Sequence, residues 1–145
     1  MYERCLVPID GSDLSYRALK EAVKILNVPQ GRVRLVYVVP ELLSSYPVVG
    51  TQTIQEWSRT EGRNALVKAE TLARELGVQT ESALLEAKGR QRTATVIVED
   101  AKRWPAEVIV MATHGRSGFD HLMFGSVAEG VLRTVTVPIL LVRGE

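Results

Sequence analysis

Five short apolar runs alternate along the chain with segments of helical periodicity: CLVPI at 5–9, VRLVYVV at 33–39, SALLEA at 82–87, EVIVMAT at 107–113 and PILLV at 138–142. Several lack polar alternation and are rich in Val, Ile and Leu, the composition of strands covered on both faces in a parallel sheet. Such strands need helices, and the gaps supply them. From Ser12 onward Leu14, Ala18, Leu19, Ala22, Val23 and Leu26 form one stripe. Ser12 or Asp13 caps that helix, and Pro29 and Gly31 fall in the turn beyond it. A second stripe runs through Ala65, Leu66, Ala69, Leu72, Ala73 and Leu76 and stops at Gly77. A third uses Ala94, Ile97, Val98 and Ala101 before Pro105, against the weak helix propensity of its threonines and valines. The fourth opens at Gly125-Ser126, sets Val127, Val131, Leu132 and Val135 on one side, and gives way to extended chain at Pro138. The order β-α-β-α-β-α-β-α-β predicts an α/β fold, a single doubly wound five-stranded parallel sheet with helices on both faces.

One stretch departs from this alternation. ELLSSYPVVGTQTIQEW, which begins at Glu41, reads as an irregular loop over 41–56, and a lid, a partner surface and a plain surface excursion all fit it. A length of 145 residues suits one domain, residues 1–145. The near balance of charge, net +1, removes the bulk signature of a nucleic-acid binder, and the local cluster Lys88, Arg90 and Arg92 has no interleaved aromatic platform. No apolar run approaches the roughly 20 residues that cross a bilayer, and MYERCLVPID lacks the pattern of a secretory leader. The expectation is a cytoplasmic protein with no membrane and no nucleic-acid partner. Cys5 is the only cysteine, which excludes an intrachain disulfide and reads as a small core hydrophobe.

In open α/β sheets ligands collect outside the carboxyl ends of the strands. That rule reduces the chain to four candidate loops: Asp10-Gly11-Ser12, Pro40-Glu41, Lys88-Gly89 and the long Thr113–Phe124 stretch. The last is the most distinctive. Gly115 and Gly118 permit close backbone approach, and Gly125-Ser126 opens a helix whose first amides point outward. Such a helix start attracts anions through hydrogen bonds and the macrodipole together. A phosphate cradle and a simple turn with Ser126 as its cap both fit this composition. The Walker signature and GxGxxG are absent.

The stretch resembles the nucleotide loop of the universal stress protein family, whose pattern is Gly, two residues, Gly, nine residues, then Gly followed by Ser or Thr. Here the pattern reads Ala112-Thr113-His114-Gly115, Arg116 to Phe124, then Gly125-Ser126, with Ala112 where the family has glycine. LVPIDGS near the start and VPILLVR at the end resemble the family's first and last strands, so the likeness spans the chain. It implies a Rossmann-like, adenine nucleotide alpha hydrolase-like fold and a bound ATP, with Mg or Mn carried on the phosphates. On the same resemblance Pro8, Ile9 and Asp10 meet ribose and adenine, and the Val38 backbone faces the adenine edge. Gly115, Gly125, Ser126 and Val127 offer amides to the phosphates, Ser126 adds a hydroxyl, and Ala128 completes the first helical turn. Ala112 crowds the phosphates with a β carbon, His114 borders the pocket, and Arg116 is a phosphate-side cation. From the residues alone, Asp10 suits a ribose acceptor or a helix cap, and Asp120 and His121 read as exposed loop.

The sequence supplies a cradle without a reaction centre: it has no serine-histidine-acid spacing, no HExxH pair and no carboxylate cluster. Three readings follow, namely an ATP-binding regulatory module of the stress response, a slow ATPase of the same fold, and a nucleotide-free dimeric scaffold for which Ala112 argues. A response regulator would need an acidic cluster after the first strand and a carboxylate after the third, where this chain has Asp10 alone and then Lys88-Gly89. The last strand, apolar and placed at a sheet edge, invites pairing with another chain. The resemblance likewise implies a homodimer through Val137 to Arg143.

Overall fold

The computed structural model describes residues 1–41, 48–114 and 125–144, without the side chains of 48–53. In chain order the elements are β1 (Arg4–Pro8), α1 (Asp13–Ile25), β2 (Arg32–Val39), α2 (Val48–Glu75), β3 (Gln79–Glu86), α3 (Thr93–Arg103), β4 (Val108–Ala112), α4 (Ser126–Thr134) and β5 (Ile139–Val142). The strands lie in the order β3-β2-β1-β4-β5, and every pairing is parallel. The expected doubly wound α/β sheet is therefore present. After β1 the chain winds outward through β2 and β3, then returns to the other side of β1 for β4 and β5. The strand order thus reverses between β1 and β4, and a crevice opens there at the carboxyl end.

Successive side chains of a strand point to opposite faces, so each central strand feeds two cores. Val7, Leu35 and Val110 pack with Leu19 of α1 and Ala69 of α2. Leu6, Val36, Ile109 and Met111 pack with Ile97 of α3 and Val131 of α4. The second core positions the site, because α3 and α4 lie side by side across it. A β carbon at Gly130 would stand 2.6 Å from the β carbon of Ala94. Only glycine lets the two helices approach this closely.

Two expected boundaries move. The stretch read as a loop over 41–56 is helical from Val48, because α2 starts seventeen residues before the apolar stripe that announced it. Gly50, Thr51 and Thr53 are poor helix formers, and Ile54 and Trp57 are exposed, so no buried stripe marks this part. β3 starts at Gln79 rather than Ser82, since an edge strand keeps polar residues in its ladder, with Gln79, Thr80 and Glu81 opposite Arg32, Val33 and Arg34.

Cys5 is fully buried in the first core. Burial, assisted by the negative charge of Glu107, pushes its thiol up to about 12, which keeps it protonated and unreactive at neutral pH.

Glu107 fastens the start of β1. Its Oε1 accepts from the Glu3 N–H at 2.7 Å and the Arg4 N–H at 2.9 Å, and these two bonds hold its pKa below the ordinary carboxylate value. A depressed folded-state pKa stabilises the fold above the unfolded value of about 4.3, and the contribution is lost as pH falls through the folded pKa. Glu107→Gln should therefore melt below the native chain at pH 6 and converge with it as the pH approaches 3, in thermal unfolding followed by circular dichroism.

Candidate functional site

β1 ends at Pro8 and β4 at Ala112, while β2 continues to Val39. The space they leave is a cavity of about 280 Å³ on the α3/α4 face. Pro8, Ile9, Asp10 and Val38 form one side, and Ala112, His114, Gly125, Ser126, Val127 and Ala128 the other. Gly115 and Arg116 lie outside the described residues, as do Asp120 and His121. Val36, Thr93, Ile97, Met111 and Thr113 also line the cavity and were not singled out by sequence. For Ile97 the signal was present but read as core packing, Thr113 lies inside the candidate loop and its glycine pattern without a role of its own, and Thr93 carries no pattern.

The first side follows from the early end of β1. The Ile9 N–H donates to the Val36 carbonyl at 2.8 Å, the last bond of that ladder. On β2 alternate residues address alternate neighbours. Val39 turns to the β3 side, where its carbonyl accepts the Ala87 N–H at 2.9 Å. Val38 consequently directs its N–H and C=O past the end of β1, into the cavity.

Asp10 sits at the foot of this wall. Its Oδ1 accepts from the Ser12 N–H at 2.9 Å and from the Ser12 hydroxyl at 2.6 Å, and Gly11 turns the chain with φ of +87°. Ser12, not Asp10 or Asp13, is the N-cap of α1, and its Oγ accepts the Ser15 N–H at 3.2 Å. Asp10 therefore orients the capping residue while its carboxylate stays in the cavity wall.

The opposite side is the start of α4, held against β4 by Thr113. The Thr113 N–H donates to the Val142 carbonyl at 3.0 Å, and its own carbonyl accepts the Gly125 N–H at 2.7 Å. These bonds tie together the two ends of the intervening segment. Gly125 is the N-cap, with φ −62° and ψ 160° and no side-chain capping bond. Ser126 is the first helical residue, so the reading of Ser126 as the cap is corrected. The first bond of the helix runs from the Glu129 N–H to the Gly125 carbonyl at 3.0 Å. The amides of Ser126, Val127 and Ala128 have no backbone partner among the described residues and face the cavity mouth.

His114 completes that end. Its Nδ1 lies 3.1 Å from the Thr113 hydroxyl, while its Nε2 is buried without a hydrogen-bond partner. A buried polar atom left unpaired costs about 1–3 kcal/mol. Together the free helix amides and this nitrogen suit an anionic group bearing oxygen acceptors. Among the described residues no group of three or more His, Cys, Asp or Glu is placed to hold a metal ion. No described helix is long and apolar enough to cross a membrane.

Comparison with known proteins places this geometry in context. The family model described as "Universal stress protein family" matches residues 1–143. A universal stress protein of Methanocaldococcus jannaschii is 35% identical over 99% of this chain and 83% of its own. Among solved structures, the universal stress protein of Archaeoglobus fulgidus in complex with dAMP superposes with a TM-score of 0.74 at 22% identity, covering 97% of this chain and 98% of that one. A universal stress protein family member from Arabidopsis thaliana with AMP bound gives 0.70 at 16% identity, with coverage of 98% and 92%.

Proposed function

The chain belongs to the universal stress protein family, and from that premise we propose that it is an adenine-nucleotide-binding module of the stress response that takes ATP. The observation that carries this reading is the meeting of three features in one cavity: the unpaired edge of Val38, the Asp10 carboxylate and the open N-terminus of α4. The Val38 N–H and C=O suit the hydrogen-bonding edge of adenine, and Pro8 and Ile9 supply apolar contact. Asp10 accepts from the ribose hydroxyls through the oxygen that Ser12 leaves available. The amides of Gly115, Ser126, Val127 and Ala128, the Ser126 hydroxyl, the His114 Nε2 and the Arg116 guanidinium serve the phosphates. Mg or Mn travels on those phosphates rather than in a protein cage. The adenine nucleotides named for the two superposed neighbours support the class of ligand.

On this reading the site binds rather than catalyses. A fast hydrolase needs a positioned water and a group to neutralise the transferring phosphoryl, and the cavity lining supplies donors without an assigned base. The nucleotide acts by favouring one conformation or assembly, in a cytoplasmic protein. Denaturing the purified protein and identifying released nucleotide by mass spectrometry tests the reading directly. ATP at about 100 times its Kd should also stabilise the fold by about 2.7 kcal/mol, which is read as a rise in melting temperature. No released nucleotide and no rise would favour the scaffold reading, for which Ala112 at the end of β4 argues.

Assembly belongs to the same proposal. β5 is an edge strand, and Leu140 on it is 37% exposed. A homodimer through Val137 to Arg143 would cover this edge. Leu140→Lys should shift the mass measured by light scattering from dimer to monomer, and an unchanged dimer would remove the last strand from the interface.

A further inference from the structure

A second groove, of about 200 Å³, opens on the opposite face of the sheet. Its floor is made by Tyr16 of α1 and Tyr37 of β2, both members of the α1/α2 core. One rim is the Asp10-Gly11 turn, and the other is the α2 face that presents Glu61, Asn64 and Lys68. Asp10 and Tyr37 line both cavities, and the remaining walls belong to this groove alone.

The groove is fixed and charged with both signs. The Tyr16 hydroxyl donates to the Ala65 carbonyl at 3.2 Å, which holds the ring in place. Lys68 is exposed, and its Nζ lies 4.7 Å from the centroid of that ring, so its cation rests over an aromatic face at the groove. Glu61 precedes Lys68 by two helical turns, about 10 Å along the axis of α2. Asn64 stands between them with an amide able to donate and accept. At the acidic end Glu61 is joined by Asp10, whose Oδ1 is held by Ser12. The result is a short polar groove with a negative end, a neutral hydrogen-bonding centre and a positive end.

The geometry points to a second ligand site that takes a small zwitterion of amino-acid size, its ammonium group toward Asp10 and Glu61 and its carboxylate toward Lys68. A purely anionic ligand meets two carboxylates there, and a purely cationic one meets the lysine. Opposite charges a few ångströms apart satisfy both ends.

The probe is γ-aminobutyrate, with butyrate and butylamine as analogues that keep one charge each. They are titrated into the full-length ¹⁵N-labelled protein while amide resonances are followed by NMR. Saturable shifts are expected at Gly11, Asn64, Ala65 and Lys68 with γ-aminobutyrate, with affinity at least about tenfold above either analogue, the equivalent of one charge-assisted hydrogen bond. Lys68→Gln and Glu61→Gln should each weaken γ-aminobutyrate by a similar factor, and the same spectra report that the variants remain folded. Absence of saturable shifts at these amides overturns the proposal. So does a single-charge analogue that binds as tightly as γ-aminobutyrate, or an affinity unchanged by both substitutions.

Discussion

Asp100→Ala is expected to destabilise the fold by about 3–5 kcal/mol, a large share of what a domain of this size possesses. Asp100 on α3 is 2% exposed and receives both arms of Arg34 from β2, with Nε to Oδ2 at 2.7 Å and Nη2 to Oδ1 at 2.9 Å. The guanidinium has no neutral form to retreat to, and the hydrogen bonds to Asp100 raise its pKa further. Removing the carboxylate leaves a charge whose side chain is 18% exposed beside Glu81 at 3.9 Å, too distant and too solvated to replace the lost pair. Arg103, which also approaches Asp100 at 3.6 Å, lies mostly in solvent and loses little. Replacing both partners, as Arg34→Met with Asp100→Leu, should recover most of the loss, because a buried pair offsets its own desolvation cost only partly. Urea unfolding of the two variants decides the matter. A single-substitution cost below about 1 kcal/mol would assign the pair no more weight than a surface bridge.

The same pair shows what sequence could and could not reveal. The central strands were legible because β1, β2 and β4 are buried on both faces, which forces near-continuous Val, Ile and Leu. Arg34 interrupts that pattern and looks like a surface residue until its partner, 66 positions later, closes over it. β3 hid its first three residues, Gln79, Thr80 and Glu81, because its outer edge meets solvent. The amino-terminal part of α2 hid for the opposite reason: its exposed Trp57 and Ile54 put apolar residues where no core demands them. At the cavity, loop glycines and the start of α4 stood out in one dimension. Thr93 and Met111 did not, because only the packing of α3 on this face of the sheet brings them to the same wall.

The proposed phosphate end makes the sharper functional forecast. Ser126→Pro should weaken ATP binding on the order of 100-fold or more while leaving the fold intact. Proline suits the first helical residue, where its missing N–H breaks no helix bond and its fixed φ matches the helix. Its demand on the preceding residue is also met, since Gly125 already has ψ of 160°. The Gly125 N–H that donates to Thr113 is untouched. What disappears is one amide and one hydroxyl at the cavity mouth, each worth about 1.5–3 kcal/mol when it serves a charged acceptor. Two such losses give about 3 kcal/mol or more, hence the hundredfold change in Kd. Ser126→Ala removes the hydroxyl alone and should lose about tenfold. Adenosine, which carries no phosphate, should bind the proline variant as well as it binds the native chain. Calorimetric titration of both ligands into all three proteins separates the possibilities. Equal ATP affinity for a folded Ser126→Pro would place the phosphates elsewhere, and a parallel loss of adenosine would mean that the substitution had damaged the whole cavity.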